Sequence, residues 1–159
     1  MVEADVPAVY QLLTNHLKSI KVHIKFTKQE VAHFLLPRDK VIYSYVVEST
    51  KGITDFFSFY CLPSSILKHD DYDTLWVAYS YYNVSTTGRL MEGARDMLIM
   101  ARENGFDVFN ALDVMENKSF LEELKFGPGD GMLHYYLFNW RVKGIKPQDV
   151  GIVLVWMHT

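Results

Sequence analysis

Apolar positions recur along the first seventeen residues with helical spacing. Val6, Val9, Leu13 and Leu17, with Tyr10 beside them, fall on one face at 100° per residue, so residues 6–17 are predicted to be a helix, with Asp5 ahead of it and Pro7 tolerated in its first turn. The period then changes to two. Ile20, Val22, Ile24 and Phe26 alternate with Lys21, His23 and Lys25, the pattern of a half-buried strand whose lysines suit a sheet edge. Thr27 and Glu30 have capping-box spacing ahead of Val31, Phe34, Leu35 and Leu36, and Pro37 ends that short helix.

Two β-rich segments, residues 41–48 and 53–62, are joined through Ser49-Thr50-Lys51-Gly52 and predict a hairpin. A polar stretch with a short helical piece, residues 63–74, leads to a Tyr-rich third strand over residues 75–84. Leu90, Ala94, Met97, Leu98 and Ala101 mark an amphipathic helix that ends at Gly105. Residues 106–112 read as a short apolar strand, Asn117 as the cap of a helix through Leu124, and residues 132–141 and 150–156 as two final strands. This order predicts a single α+β domain over residues 1–159, with helices flanking a mixed, twisted sheet.

Composition narrows the function more than the fold. A net charge of -3 without a concentrated basic run argues against nucleic-acid binding, which needs a Lys/Arg face to neutralise phosphates. Cys61 is the single cysteine, so it has no internal disulfide partner, and a reducing, cytoplasmic setting is expected. No apolar run reaches the ~18 residues that a membrane span requires. Cys61 and His69 lack a positioned base for nucleophilic catalysis. Asp70, Asp71 and Asp73 lack the glycine turn and distal Glu of a calcium loop, so no metal is expected. His134, inside a predicted strand, is expected to be a packed or hydrogen-bonded imidazole rather than a ligand.

One stretch stands apart. Lys125-Phe126-Gly127-Pro128-Gly129-Asp130-Gly131 alternates glycines with Pro128 and Asp130 between a predicted helix and a predicted strand, so its backbone can take positive φ and approach a ligand closely. Composition alone describes equally well a tight connection bearing a free carboxylate.

The order of the residues in that loop resembles the Lys-Phe-Gly-x-Gly-Asp-Gly signature of the eukaryotic N-myristoyltransferases, with Pro128 at the variable position. Upstream, Asp55-Phe56-Phe57-Ser58-Phe59-Tyr60 with Leu62-Pro63-Ser64, then Ala78-Tyr79-Ser80-Tyr81-Tyr82-Asn83-Val84, then residues 105–113 from Gly105 through Asn110 to Asp113, resemble the same family's C-terminal half in the same order. The resemblance covers nearly the whole chain, and the family's N-terminal half, with most of the acyl-CoA site, has no counterpart in it. It implies a fold like that of the Gcn5-related acyltransferases and a transferase that moves myristate from myristoyl-CoA, its acyl donor, to the N-terminal glycine amine of peptides and proteins. No permanently bound cofactor is expected.

The resemblance also implies residue roles. Ser64, Tyr79, Asn110, Asp130, Gly131 and Leu133 fall on positions that line or contact the peptide. The Asp130 and Gly131 N–H groups would meet a small hydroxyl residue of the peptide, and the Asp130 carboxylate would favour a basic residue further along. The catalytic base in this family is the chain's own terminal carboxylate, which falls at Val155. This sequence continues with Trp156-Met157-His158-Thr159, and four residues at ~3.3 Å each reach roughly 13 Å. Unless the tail folds back or His158 substitutes, the alternative is a catalytically incompetent peptide-binding or interaction module from a truncated enzyme.

Overall fold

The computed structural model describes residues 1–68, 70–129 and 131–153. A 3-10 turn, Glu3–Asp5, runs directly into α1, Val6–Leu17, with Pro7 in its first turn and Val6, Val9, Leu13 and Leu17 buried. The short β1, Val22–His23, follows, much shorter than the alternation over residues 20–26 predicts. Among the described residues its only strand partner is β8, Val150–Gly151, which lies parallel to it, and an alternating pattern extends into a strand only as far as a neighbour accepts its hydrogen bonds. α2, Lys28–Leu35, opens on the predicted capping box. The Thr27 hydroxyl accepts from Glu30 N–H, and the Glu30 carboxylate accepts from Thr27 N–H at 2.7 Å.

The main sheet has four strands in the order β2-β3-β6-β7. β2, Ile42–Ser49, and β3, Gly52–Cys61, form the predicted hairpin, and Gly52 takes the positive φ of 105° that its turn requires. β4, Ser64–Ser65, and β5, Thr74–Leu75, make a small antiparallel pair where a short helical piece is predicted. β6, Val77–Ser85, is antiparallel to β3. α3, Leu90–Glu103, then crosses to β7, Val108–Asn110, which is parallel to β6. α4, Lys118–Leu121, begins after Asn117 as expected, but the Asn117 amide donates to Leu112 O at 2.8 Å and makes no cap.

Two cores form, one on each face of the sheet. α1 and α2 cover the face bearing Ile42, Phe56, Tyr60 and Val84, while α3 and α4 cover the face bearing Tyr43, Phe57, Phe59 and Ala78. α3 reaches the sheet at Gly93, where an added Cβ would fall 1.9 Å from Phe57 Cζ. Just ahead of the same, N-terminal end of that helix a buried carboxylate ties strands to loop. Asp55, 0% exposed, accepts hydrogen bonds from the hydroxyls of Ser85, Thr54 and Thr87, and Arg89 lies 3.3 Å away. Burial alone would raise its pKa, but those hydroxyl bonds outweigh it and hold the group below its ordinary value.

The last third of the chain departs from expectation. Residues 132–140, predicted as a strand, run without regular structure and are exposed. His134, expected to be packed, is exposed as well, with its ring 6.4 Å from that of Tyr136. Among the described residues no helix is long and apolar enough to cross a membrane.

Candidate functional site

Between β3 and β6 the register slips by one residue, since Phe57 faces Asn83 while Phe59 faces Ser80. This is a β-bulge on β6, and it re-aims side chains. Ser58 bridges it, its hydroxyl donating to Tyr82 O at 3.0 Å and accepting from Tyr82 N–H, while the Asn83 amide donates to Ser80 Oγ at 2.8 Å. The slip sends Tyr81 and Tyr82, neighbours in sequence, into the same α1/α2-side core. Burial pushes both phenols upward, so they remain neutral at any physiological pH.

β7 leaves the sheet beside that bulge. Its last pairing is Asn110 with Tyr79, and among the described residues no strand pairs beyond Tyr79 on the side of β6 away from β3. The Tyr79 ring stacks on Tyr60 with centroids 5.4 Å apart and planes 14° from parallel. Burial, with a lesser contribution from Tyr79 and Tyr135, raises Tyr60 to about 12. The Tyr60–Tyr79 pair thus stands at the end of the sheet where β7 makes its last pairing with β6.

The chain's final described residues are held by side-chain hydroxyls. The Tyr82 hydroxyl donates to Gly151 O at 3.0 Å, the Tyr135 hydroxyl donates to Ile152 O at 2.6 Å, and Val153 is buried. Gly151 packs tightly, because an added Cβ would lie 3.1 Å from Leu17 Cδ2 and 3.2 Å from Ile20 Cγ2. Lys21 and Asp149 close the entry to β8 with an ion pair at 2.6 Å. The backbone at residues 151–152 is thereby held from two sides.

Of the sequence-predicted site residues, Tyr79 and Asn110 are cross-strand partners. Ser64 lies exposed at the start of β4, opposite Leu75, three residues beyond the end of β3. Gly131 is exposed and Leu133 is half exposed, neither of them in a regular element. Asp130 and Val155 lie outside the described residues, as do His69 and His158. The glycine loop does not use the conformation expected of it. The positive φ falls on Lys125, at 59°, whereas Gly127, Gly129 and Gly131 do not adopt it and have open space where a Cβ would stand. Cys61 is half-buried with its thiol pushed upward by burial, the opposite of an activated nucleophile. Among the described residues no group of three or more His, Cys, Asp or Glu side chains is placed to hold a metal.

Tyr82 and Tyr135 are the residues that reading the sequence overlooked. Tyr82 is one ring of a Tyr-Ser-Tyr-Tyr run, and only the bulge separates it from its neighbours. Tyr135 sits in an apolar, ring-rich segment that suggests ordinary strand packing. No local signal marks either.

Helices on both faces of a mixed sheet, with a strand diverging at one end, define an α+β acyltransferase-type fold. The solved structure of a Trypanosoma brucei acetyltransferase shares it with a TM-score of 0.63 at 16% identity, a likeness of fold alone. A much nearer likeness joins this chain to Saccharomyces cerevisiae N-myristoyltransferase with bound myristoyl-CoA. There the TM-score is 0.88 and the identity 35%, over 98% of this chain and 43% of that one. Residues 1–153 match the family described as myristoyl-CoA:protein N-myristoyltransferase, C-terminal domain. The chain is 56% identical to glycylpeptide N-tetradecanoyltransferase 1 of Arabidopsis thaliana over 95% of its own length, and 49% identical to glycylpeptide N-tetradecanoyltransferase 2 of Bos taurus over 94%. It belongs to the N-myristoyltransferase family. It spans 36% and 30% of those two relatives' lengths, so it corresponds to their C-terminal domain rather than to the whole.

Proposed function

We propose that this chain is the peptide-recognising part of a protein N-myristoyltransferase, an enzyme that transfers myristate from myristoyl-CoA to the amine of an N-terminal glycine. The observation that carries the reading is the Tyr79–Asn110 pairing at the point where β7 leaves β6. Beyond it no other strand among the described residues pairs on that side of β6, and the Tyr79 ring stacks on Tyr60; the peptide lies along this end of the sheet. Ser64, Gly131 and Leu133 contribute from the loops, and the Asp130 carboxylate selects a downstream lysine or arginine of the peptide by a charge-assisted hydrogen bond.

The transferred amine has to be uncharged to attack. An α-amino group has a pKa of about 7.7 to 8.0, so a positioned base of modest strength suffices. In a version of the chain ending at Val155 that base is the terminal carboxylate of Val155. Supporting it, the two hydroxyls of Tyr82 and Tyr135 fix residues 151–152, which restricts where the following residues can go. In a second reading this chain recognises peptide but does not supply the base.

Calorimetry and an acyl-transfer assay separate the two. The 159-residue chain and a version ending at Val155 would each be given myristoyl-CoA and a peptide that begins with Gly and carries Ser and Lys. Both should bind the peptide, and Asp130→Asn should weaken the Lys-bearing peptide about tenfold while sparing a neutral one. Absence of peptide binding by either version overturns the recognition role. Binding without transfer supports the second reading.

A further inference from the structure

Positive charge is concentrated around α1 although the chain as a whole is acidic. From Val6 to Gln29 the sequence holds four lysines and two histidines and neither Asp nor Glu, against a net charge of -3 overall. Two of these six groups are answered from elsewhere in the fold. Lys21 pairs with Asp149 at 2.6 Å, and His16 with Glu116 at 3.2 Å. Among the described residues Lys18, Lys25 and Lys28 have no carboxylate within 4.0 Å, and all three are exposed.

These cations surround a cavity of about 250 Å³ between α1 and residues 23–26. Tyr10, Leu17, Ile24 and Phe26 supply its apolar walls, and Lys18, Lys25 and His23 line it as well. Lys18 Nζ donates to Asn15 Oδ1 at 3.0 Å, which uses one of its three hydrogens. His23 Nδ1 donates to Ile20 O at 2.6 Å, because a carbonyl can only accept, so Nε2 is the ring nitrogen left for a ligand. Lys28 Nζ stands 5.9 Å from the centre of the Tyr10 ring and brings a third ammonium to the α1 wall.

Small-molecule sites combine apolar walls with a few polar groups that fix orientation, and those for drug-sized ligands occupy ~300–1,000 Å³. This cavity is smaller, so it takes a short apolar body. Its charged lining is entirely cationic, so the head group is an anion. Three ammonium groups around one apolar pocket match a single small head group, whereas a nucleic-acid backbone needs an extended basic face.

We propose that this cavity binds a medium-chain carboxylate, its alkyl chain against the apolar walls and its head group between Lys18 and Lys25. Leu17 and His23 also lie beside Gly151, so the ligand touches the side chains against which β8 packs. The inference does not depend on the peptide-recognition reading.

The probe is octanoate, titrated into the full 159-residue chain and followed by NMR residue by residue. Its methylene protons should show NOEs to the methyl groups of Leu17 and Ile24, and the amides of Ile24 and Gly151 should shift saturably along one binding curve. Octanol, equal in length but uncharged, should bind at least about fivefold more weakly. Replacing both exposed lysines, Lys18→Gln with Lys25→Gln, should weaken octanoate about fivefold, leave octanol unchanged and leave urea unfolding as in the parent. Equal affinity for octanoate and octanol overturns the proposal, as does octanoate binding that the double variant leaves intact. So do NOEs to residues 132–140 in place of Leu17 and Ile24, which would assign the ligand to the exposed aromatic segment.

Discussion

β3 and residues 132–140 are written in nearly the same alphabet and end in opposite environments. β3 places Phe56, Phe57, Phe59 and Tyr60 in the two cores, whereas Leu133, Tyr136, Leu137 and Phe138 stand in solvent. Both segments are apolar runs rich in rings. The difference is the neighbour: β3 has β2 on one side and β6 on the other, while residues 132–140 have no ladder partner among the described residues. A strand is the property of a pair, so an apolar, ring-rich run does not by itself make the later segment a strand.

The largest test of that contrast is a pair of matched truncations. Phe59 is 0% exposed and lies among the rings of Tyr43, Phe106 and Phe109, so Phe59→Ala should cost ~3–5 kcal/mol in urea unfolding. Phe138 is 88% exposed, and Phe138→Ala should stay within ~0.5 kcal/mol. Comparable losses at the two sites would show that residues 132–140 are packed in solution and that the contrast is false.

Next come the polar groups that hold the packed region in register. Asp55→Asn keeps the shape of the side chain but makes it a poorer acceptor for three hydroxyls, and should cost ~1–3 kcal/mol. The pH dependence has a definite sign. Because the folded-state pKa of Asp55 is held below its ordinary value, its stabilisation is fully present above the unfolded carboxylate's range, near pH 4, and is lost as pH falls through the folded value. Unfolding free energy measured from pH 7 down to pH 3 should therefore drop less steeply in Asp55→Asn than in the parent. An identical slope would mean that the hydroxyl cradle does not tune this carboxylate.

How much of this was legible beforehand follows the same division. α1 was readable because one stripe of apolar residues and a proline agree on it, and α2 because Thr27 and Glu30 form a capping box that needs no tertiary partner. The β2–β3 hairpin carried its own turn. The bulge on β6 was hidden, since it depends on Ser58 of the adjacent strand reaching Tyr82 across the ladder, and alternation alone assigns Tyr81 and Tyr82 to opposite faces. Within the site, Tyr79 and Asn110 came from the order of family motifs, and their pairing became visible only through the β6–β7 register. Thr27→Ala measures the local kind of information directly, with an expected cost of ~1 kcal/mol that appears in the thermal melt without changing peptide binding.

The smallest expected effect lies where the two regions touch. Tyr82 and Tyr135 donate to successive carbonyls, Gly151 and Ile152, one from the packed core and one from the exposed segment. Gly151 is buried, so Tyr82→Phe strands a carbonyl away from water and should cost ~1–3 kcal/mol. Ile152 is only half-buried and Tyr135 is 38% exposed, so water can replace the lost hydroxyl. Tyr135→Phe should therefore cost no more than ~0.5 kcal/mol in global unfolding, yet accelerate hydrogen exchange across residues 150–153 several-fold. If instead Tyr135→Phe unfolds the protein as readily as Tyr82→Phe does, the exposed segment is part of the cooperative core, and its missing ladder partner is supplied by something other than the described residues.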